Sequence, residues 1–245
     1  MMRSGFEDAW RRRFVERGSR FRDEAEIAGW SRTGLDTRFR RFRALWPGDA
    51  PGNLWLDAGC GAGTYTRFLR ESGLDALGLD YSSPSLAKAR ARAGDAGWWV
   101  AADVKQLPLR SASVDGVLCF GVMQALDDPQ PALAELLRVT RPGGTCWVDG
   151  LNRWCLPNLL REGKRMLLGR APHLRYDAPG SLRRSLRAAG SDGVRLHWLP
   201  MAPERFPRLR RLLAHPLTEQ LLRVVPPLGL LCSHSFILVA RRGRA

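Results

Sequence analysis

Three glycines at alternate positions, Gly59, Gly61 and Gly63, follow an apolar run that ends in Asp57. Apolar side chains recur at helical spacing directly after them, so the pattern predicts a strand that turns through the glycines into a helix. Such a turn brings bare backbone N–H groups and the positive end of a helix against a ligand. This turn is therefore the first candidate binding element.

A second acidic residue, Asp80, follows at a spacing typical of a nucleotide-binding carboxylate. The apolar run 74–79 ends in Asp80, seventeen residues beyond Gly63. In nucleotide-binding sheets, a carboxylate at the end of the second strand accepts hydrogen bonds from ribose hydroxyls. Read this way, the glycine turn and Asp80 predict a ligand that contains adenosine. The plainer alternatives are that the glycines only permit tight strand–helix packing and that Asp80 only caps a helix.

The surrounding pattern predicts the elements that would position these residues. Strands are expected at about 53–58, 74–80, 98–102, 114–120, 145–149, 194–199 and 235–240, and helices after Gly63 to Ser72, from Ser82, over 131–140 and over 181–189. Alternating strands and helices indicate a mostly parallel sheet with helices on both faces. We therefore expect a single α/β domain over residues 1–245, with its ligand-binding core at 53–150.

Three segments outside that core are candidates for a second binding site. Two amphipathic helices are expected within residues 1–50, around Trp10, Phe14 and Phe21 and around 35–45. The segments 151–180 and 200–233 would leave the carboxyl edge of the sheet, where ligands bind in such folds. We expect these three segments to form an acceptor pocket or its lid. The alternative is that they only cover the sheet.

Composition limits the class of protein. No apolar stretch reaches the roughly 18–20 residues that a membrane-spanning helix needs, and the N-terminus lacks the apolar core of a signal peptide. The five cysteines form no Cys-x-x-Cys pair and no metal-binding cluster stands out, so buried thiols in a reducing compartment are expected. These features predict a cytoplasmic protein.

Positive charge is concentrated in the last third of the chain. Residues 151–245 carry 18 Lys/Arg against 5 Asp/Glu, whereas residues 51–150 carry 9 against 11. An arginine-rich composition can reflect coding bias alone. Otherwise the excess indicates an acidic partner, such as an anionic membrane surface, a phosphorylated substrate or nucleic acid.

Several separated segments together resemble the class I S-adenosylmethionine-dependent methyltransferases, in the branch that acts on small molecules and lipids. Residues 56–63 resemble the family's first motif, and 78–82 the second. Residues 102–104 with 107–109 resemble the third motif and 113–117 the fourth, while 135–139 followed by 141–144 resemble the helix and turn before strand five. The resemblance implies a Rossmann-like, seven-stranded, mostly parallel sheet whose last strand is antiparallel.

The resemblance also implies roles for individual residues. The backbone around Gly59, Cys60, Gly61 and Gly63 would cradle the methionine end of S-adenosylmethionine, with Asp57 near its amino group.

On the same resemblance, Asp80 would accept both ribose hydroxyls, and the ring of Tyr81 would cover the ribose or adenine. Asp103 would take the adenine amino group, unless it is a simple turn aspartate. Val104 would add a backbone contact and apolar cover, and Phe120 would line the donor pocket.

The implied reaction is methyl transfer to a small-molecule, saccharide or lipid-linked acceptor by in-line displacement, with oxygen as the first expectation for the accepting atom. A general base is needed only if the acceptor must lose a proton as it attacks. Gln124 stands where many relatives have histidine, so no catalytic residue is assigned. The alternatives are RNA methylation, which only the charge favours, a domain that binds the cofactor without catalysis, and a nicotinamide dehydrogenase.

Overall fold

The computed structural model describes residues 4–93, 97–170, 174–201, 206–213 and 215–244. Seven strands form one sheet in the order β3-β2-β1-β4-β5-β7-β6. Their bounds are β1 Leu54–Ala58, β2 Asp75–Asp80, β3 Trp98–Ala101, β4 Val114–Cys119, β5 Thr140–Leu151, β6 Ser191–Leu199 and β7 Ser235–Arg242. The last strand, β7, runs antiparallel to its neighbours β5 and β6. The predicted fold class is confirmed.

The helices lie before, between and after these strands. They are α1 Gly5–Arg20, α2 Glu24–Ala28, α3 Arg32–Leu45, α4 Thr64–Glu71, α5 Ser83–Ala93, α6 Gln130–Val139, α7 Leu156–Leu167, α8 Pro179–Ala188, α9 Pro207–Leu213, α10 Pro216–Val224 and α11 Pro226–Cys232. A short 3₁₀ turn spans Met123–Ala125. Of the described helices, none combines the length and the apolar character needed to cross a bilayer.

Both faces of the sheet are covered by packed apolar side chains. On one face, α6 and α8 contribute Leu136 and Leu182 to a cluster with strand residues such as Val117. On the other face, the aromatic ring of Phe42 on α3 lies 5.4 Å from Tyr65 and also contacts other rings. This second cluster fixes the N-terminal helices against the sheet, next to the turn that follows β1.

The start of β5 differs from the prediction. The strand begins at Thr140 rather than at 145, and α6 ends at Val139 before the Pro-Gly-Gly sequence. The early part pairs Val114 with Thr140, and the register shifts before Gly116 pairs with Thr145. A Cβ on Gly144 would stand 2.4 Å from the backbone oxygen of Asp115. Glycine therefore permits the close strand approach that extends β5 backwards.

The terminal segments contain more helix than the periodicity predicted. A short helix, α2, with Asp23 as its cap, separates α1 from α3, and Phe21 follows α1 rather than lying within it. In the segment 200–233, α10 and α11 each begin at a proline, which suits the first helical turn. Residues 171–173, 202–205 and 214 of the expected acceptor segments lie outside the described residues.

Candidate functional site

A cavity lies at the carboxyl ends of β1, β2, β3 and β4. Eight of the ten residues expected to bind a cofactor line it: Gly59, Cys60, Gly61, Asp80, Tyr81, Asp103, Val104 and Phe120. The remaining two, Asp57 and Gly63, are not among its lining residues. The opposite wall comes from α1, from α2 and from the chain that leads into α3. The sheet therefore brings the sequence motifs together at one site, as parallel topology requires.

The glycine turn adopts a backbone that other residues would strain. Gly59, Gly61 and Gly63 have φ angles of 78°, 52° and 82°. A Cβ on Gly59 would stand 2.3 Å from Val122, and one on Gly63 would stand 2.8 Å from Trp99. A Cβ on Gly61 would meet no atom within 4 Å. The outer glycines thus permit close packing, while the middle glycine keeps its backbone open towards the cavity.

Asp80 is held rigidly at the end of β2. Its Oδ2 accepts a hydrogen bond from the Gly61 N–H at 2.9 Å, and its Oδ1 accepts one from the Ser82 N–H at 2.8 Å. Burial raises the pKa of this carboxyl group above its ordinary value, and the backbone donors oppose that shift. A carboxylate has about four lone-pair positions, so each oxygen can accept a further hydrogen bond from a ligand hydroxyl.

Asp57 lies behind the glycine turn. Its Oδ2 accepts a hydrogen bond from the Thr66 hydroxyl at 2.6 Å. Burial raises its pKa to about 7, and the Thr66 hydrogen bonds oppose the shift. The group is therefore poised to change charge near neutral pH, and a cation in the cavity would favour its ionised form.

An arginine from α1 spans the ends of β2 and β3. The guanidinium of Arg11 lies 4.7 Å from the centre of the Tyr81 ring, and its Nη1 is 3.6 Å from Oδ2 of Asp103. Asp103 also accepts the Lys105 N–H at 2.9 Å through Oδ1. Arg11 therefore joins two of the residues that the sequence assigned to the adenosine end of the site.

A buried ion pair supports the turn after β4. Asp149 accepts a hydrogen bond from the Gly121 N–H at 2.7 Å and one from Nε of Arg38 at 3.2 Å. Burial raises the pKa of Asp149, and the Arg38 guanidinium opposes that shift. The same guanidinium lies 4.3 Å from the centre of the Trp30 ring. α3 thus fixes the Phe120–Gly121 turn against the cavity.

Two acids tie the N-terminal helices to the core. Glu24 pairs with Arg67 at 2.6 Å and accepts a hydrogen bond from the Thr64 hydroxyl. Glu7 pairs with Lys105 across the cavity. Both carboxylates form ion pairs with basic residues of the core. Ionic contacts therefore hold α1 and α2 over the site, in addition to apolar packing.

Several residues that line the cavity were not predicted from the sequence as site residues. They come mainly from the N-terminal helices and α4, and include Glu7, Arg11, Glu24, Trp30 and Tyr65. No local motif marks them, because their place in the site depends on how α1–α3 fold back over the sheet. By helical periodicity alone, Tyr65 is simply one of the apolar positions of α4.

The segments 151–180 and 200–233, which were expected to form the acceptor pocket, lie away from the lining of this cavity. Of their described residues, none from 151–180 or 200–233 lines this cavity. Gln124 is buried in the 3₁₀ turn, between the cavity-lining residues Val122 and Ala125. His234 is partly buried just before β7, and burial lowers its pKa to about 4. The role of these segments in acceptor binding stays a prediction.

Residues 56–148 match a protein-family model described as a methyltransferase domain. Over this span the chain is a methyltransferase domain. The matched span begins in β1 and ends in β5, so it includes each of the strand ends that form the cavity.

Curated relatives match mainly this methyltransferase domain. The malonyl-[acyl-carrier protein] O-methyltransferase of Serratia marcescens is 45% identical over 96 residues, which cover 38% of this chain and 36% of the relative. The ubiquinone biosynthesis O-methyltransferase of Methylococcus capsulatus is 31% identical over 153 residues, 58% of this chain and 64% of the relative. The chain thus spans less than two thirds of the length of either relative.

The methyltransferase fold extends through the whole chain. The magnesium protoporphyrin IX methyltransferase of Synechocystis PCC 6803, solved with bound S-adenosylhomocysteine, superposes with a TM-score of 0.66 over 97% of this chain and 100% of that chain, at 16% identity. At this identity the likeness establishes the fold alone.

Proposed function

We propose that this protein transfers the methyl group of S-adenosylmethionine to an oxygen atom of a small-molecule, saccharide or lipid-linked acceptor. The observation that carries the proposal is the shared cavity that Gly61, Asp80, Asp103 and Phe120 line at the carboxyl edge of the sheet. These residues come from the turns after β1, β2, β3 and β4 in succession, which is the arrangement that an extended nucleoside ligand needs.

The residues present fit an adenosyl ligand. Asp80 keeps lone pairs for two ribose hydroxyls after accepting its two backbone N–H groups. Tyr81, Val104 and Asp103 also line the cavity. The Tyr81 ring and the Val104 side chain would cover the ribose and adenine, and Asp103 would accept from the adenine amino group.

The other half of the cavity suits the amino-acid end of the donor. Gly61 leaves its backbone uncovered on the cavity side. Asp57, directly behind the turn, would supply a negative charge to an ammonium or sulfonium group once it is ionised. Phe120, which also lines the cavity, would close this end with its ring. Together these contacts would hold the donor along the strand ends.

The bound donor supplies a methyl group that its sulfonium has already activated. The protein's main task is then to hold the acceptor atom in line with that methyl group, and alignment can contribute about 7–11 kcal/mol in the best intramolecular cases. The N-terminal helices, tied down through Glu7 and Glu24, would exclude water from this space. An aromatic ring such as Phe120 facing the cation would add electrostatic stabilisation.

The proposed accepting atom is oxygen, by analogy with the relatives named for O-methylation. Acceptor oxygens differ in charge: a carboxylate is already ionised at neutral pH, whereas a phenol or sugar hydroxyl must lose a proton. A carboxylate acceptor would need no general base. Glu7 and Asp103, which line the cavity beside Lys105 and Arg11, are paired with these cations, so a carboxylate is the simpler acceptor for this site.

A lipid-linked acceptor would suit the exposed surface of the C-terminal segments. On α7, Leu160 and Leu167 are 67% and 90% exposed, and on α10 Leu217 and Val224 are each 68% exposed. The spacing places each pair on one helix face, and the segment that contains them carries the basic excess. Apolar stripes flanked by Arg and Lys are typical of helices that lie on anionic membranes. We therefore propose a peripheral contact with an anionic lipid surface rather than with nucleic acid.

The surface proposal can be tested with lipid vesicles. Wild type should float with vesicles that contain phosphatidylglycerol and much less with neutral phosphatidylcholine vesicles. Leu160→Gln combined with Leu167→Gln should lower the bound fraction several-fold, whereas Trp98→Gln, at an exposed apolar position on β3, should not. If the Leu160→Gln, Leu167→Gln variant floats as well as Trp98→Gln does, α7 has no role in the lipid contact. Tight, salt-sensitive RNA binding without vesicle binding would favour RNA as the partner instead.

The reaction can be tested by turnover. Purified protein is incubated with S-adenosylmethionine and one of three acceptors: malonyl-loaded acyl carrier protein, a catechol-type phenol or a saccharide. S-adenosylhomocysteine is measured by mass spectrometry. Product with any of them supports the proposal and identifies the acceptor class. Cofactor binding with no product from carboxylate, phenol or saccharide acceptors would instead indicate a non-catalytic binding domain.

A further inference from the structure

Among the described residues that line the cavity, two carry a buried hydrogen-bond donor without an acceptor. The hydroxyl of Tyr65 and the indole N–H of Trp30 are buried, and neither has a hydrogen-bond partner among the described residues. Both side chains line the cavity. An unmet buried donor costs about 1–3 kcal/mol, so native proteins rarely keep such groups without a use.

The two donors belong to the same corner of the cavity. The Tyr65 ring lies 5.0 Å from the Phe120 ring, and a Cβ on Gly121 would stand 2.5 Å from Cζ2 of Trp30. Because Phe120 and Gly121 are consecutive, the rings of Tyr65 and Trp30 pack around one turn at the end of β4. A single small group in this corner could therefore meet both donors.

The other orphaned indoles provide a comparison. The N–H groups of Trp99 and Trp147 also lack acceptors in the described part of the chain, but neither residue lines the cavity. Trp99 packs against Gly63 and Gly78, and Trp147 lies in the aromatic cluster with Phe42. Trp30 and Tyr65 differ from them because each combines an unmet donor with a place in the lining of the cavity.

Two unmet donors favour an occupant that offers two acceptor atoms. Arg38 lies over the Trp30 ring. Its positive charge lowers the pKa of Tyr65, while the negative charges of Asp149 and Asp57 raise it. Burial raises the pKa of Tyr65 above its ordinary value, so the phenol stays protonated and remains a donor. A carboxylate has two oxygens, each of which accepts hydrogen bonds.

We propose that Tyr65 Oη–H and Trp30 Nε1–H together bind a carboxylate, one donor to each oxygen. The inference rests on the proposed function and deepens it. Two sources share this chemistry: the amino-acid end of the methyl donor and a carboxylate of the acceptor. The two residues are binding residues; they position the group and take no proton from it.

Calorimetry with two nucleosides distinguishes the sources. S-adenosylhomocysteine carries the amino-acid carboxylate, and 5′-methylthioadenosine lacks it. If the carboxylate comes from the donor, Tyr65→Phe should weaken S-adenosylhomocysteine binding by at least about tenfold and leave 5′-methylthioadenosine binding unchanged. Trp30→Phe should act in the same direction. Tyr176→Phe, which removes the same atom from a residue that is not part of the cavity lining, is the matched control.

A second titration tests the acceptor as the source. Sodium malonate is added to the S-adenosylhomocysteine complex of wild type and of Tyr65→Phe. If the pair serves the acceptor, wild type should bind malonate, Tyr65→Phe should not, and both nucleosides should bind the two proteins equally.

The fold is monitored in the same samples. Because Tyr65→Phe removes only an unmet buried hydroxyl, its unliganded melting temperature should equal or exceed that of wild type. The proposal is overturned if Tyr65→Phe alters neither nucleoside binding nor malonate binding. If wild type itself binds neither nucleoside, the proposed function is wrong, and the carboxylate site is rejected with it.

Discussion

One carboxylate oxygen of Asp80 accepts a hydrogen bond from the backbone N–H of Gly61 at 2.9 Å. This contact joins the end of β2 to the middle of the turn after β1, so two elements that are distant in sequence form one rigid edge of the cavity. The open space beside Gly61 lies next to an acceptor whose orientation is already set. Such preorganisation reduces the entropy that ligand binding must overcome.

The carboxyl group of Asp57 should make stability depend on pH. Its pKa is raised from 3.8 to about 7 by burial, so between these values the folded state binds more protons than the unfolded state. Its contribution to stability is therefore fully present below about pH 4 and is lost as pH rises through 7. We expect Asp57→Asn to be more stable than wild type at pH 8 by a few kcal/mol, on the order of 2–4, and similar to it at pH 4.

Urea unfolding of both proteins at pH 4, 6 and 8, without ligand, measures this difference. Thr66→Val is a useful companion, because it removes the hydroxyl that donates to Asp57 and should raise the pKa of Asp57 further. A stability difference between wild type and Asp57→Asn that does not change with pH would show that the carboxyl group does not titrate in this range.

Alanine substitutions at Gly63 and Gly73 distinguish the cost of backbone strain from the cost of side-chain crowding. Their φ angles are 82° and 84°, so alanine at either position meets a similar left-handed penalty of about 1–2 kcal/mol. A Cβ on Gly63 would stand 2.8 Å from Trp99, whereas one on Gly73 would meet no atom within 4 Å. Gly63→Ala should therefore lower the free energy of unfolding by about 1–3 kcal/mol more than Gly73→Ala does. Equal losses in chemical denaturation would mean that Trp99 moves aside freely.

The buried pair between Arg38 and Asp149 should show strong coupling. Both side chains are almost fully buried, at 5% and 6% exposed, so Arg38→Met leaves a carboxylate buried without its cation. We expect a loss of about 3–5 kcal/mol for this variant. Arg38→Met combined with Asp149→Asn should lose less than the sum of the single changes. A double-mutant cycle that shows simple additivity would contradict a direct electrostatic role for the pair.

The order and type of the core strands were predictable from sequence, because each strand is a short apolar run bounded by glycine, proline or an acid. β1, β2 and β4 begin or end within about one residue of the prediction. The early start of β5 was not predictable, because it depends on a register shift opposite Asp115 and on the close approach at Gly144. Such features arise from strand pairing rather than from local preference.

The residues of the candidate site also divide into those that the sequence predicts and those that only the folded chain brings together. Asp80, Asp103 and Phe120 could be assigned because each lies at or just beyond the end of a strand, and parallel strands end at one edge. Trp30 and Glu24 could not, since only the folding of α2 and α3 onto the sheet brings them to the cavity. In the sequence, Tyr65 is one of several apolar positions on a helix. Its unmet hydroxyl is visible only once its neighbours are placed.

The central claim is that the cavity at the strand ends binds an adenosyl sulfonium compound through Asp80. Isothermal titration with S-adenosylhomocysteine, on wild type and on Asp80→Ala, tests it most directly. Loss of the hydrogen bonds to both ribose hydroxyls should weaken binding by roughly 10- to 100-fold or more, while NAD shows no affinity for wild type. Absent binding to wild type, or equal affinity in Asp80→Ala, would contradict the account.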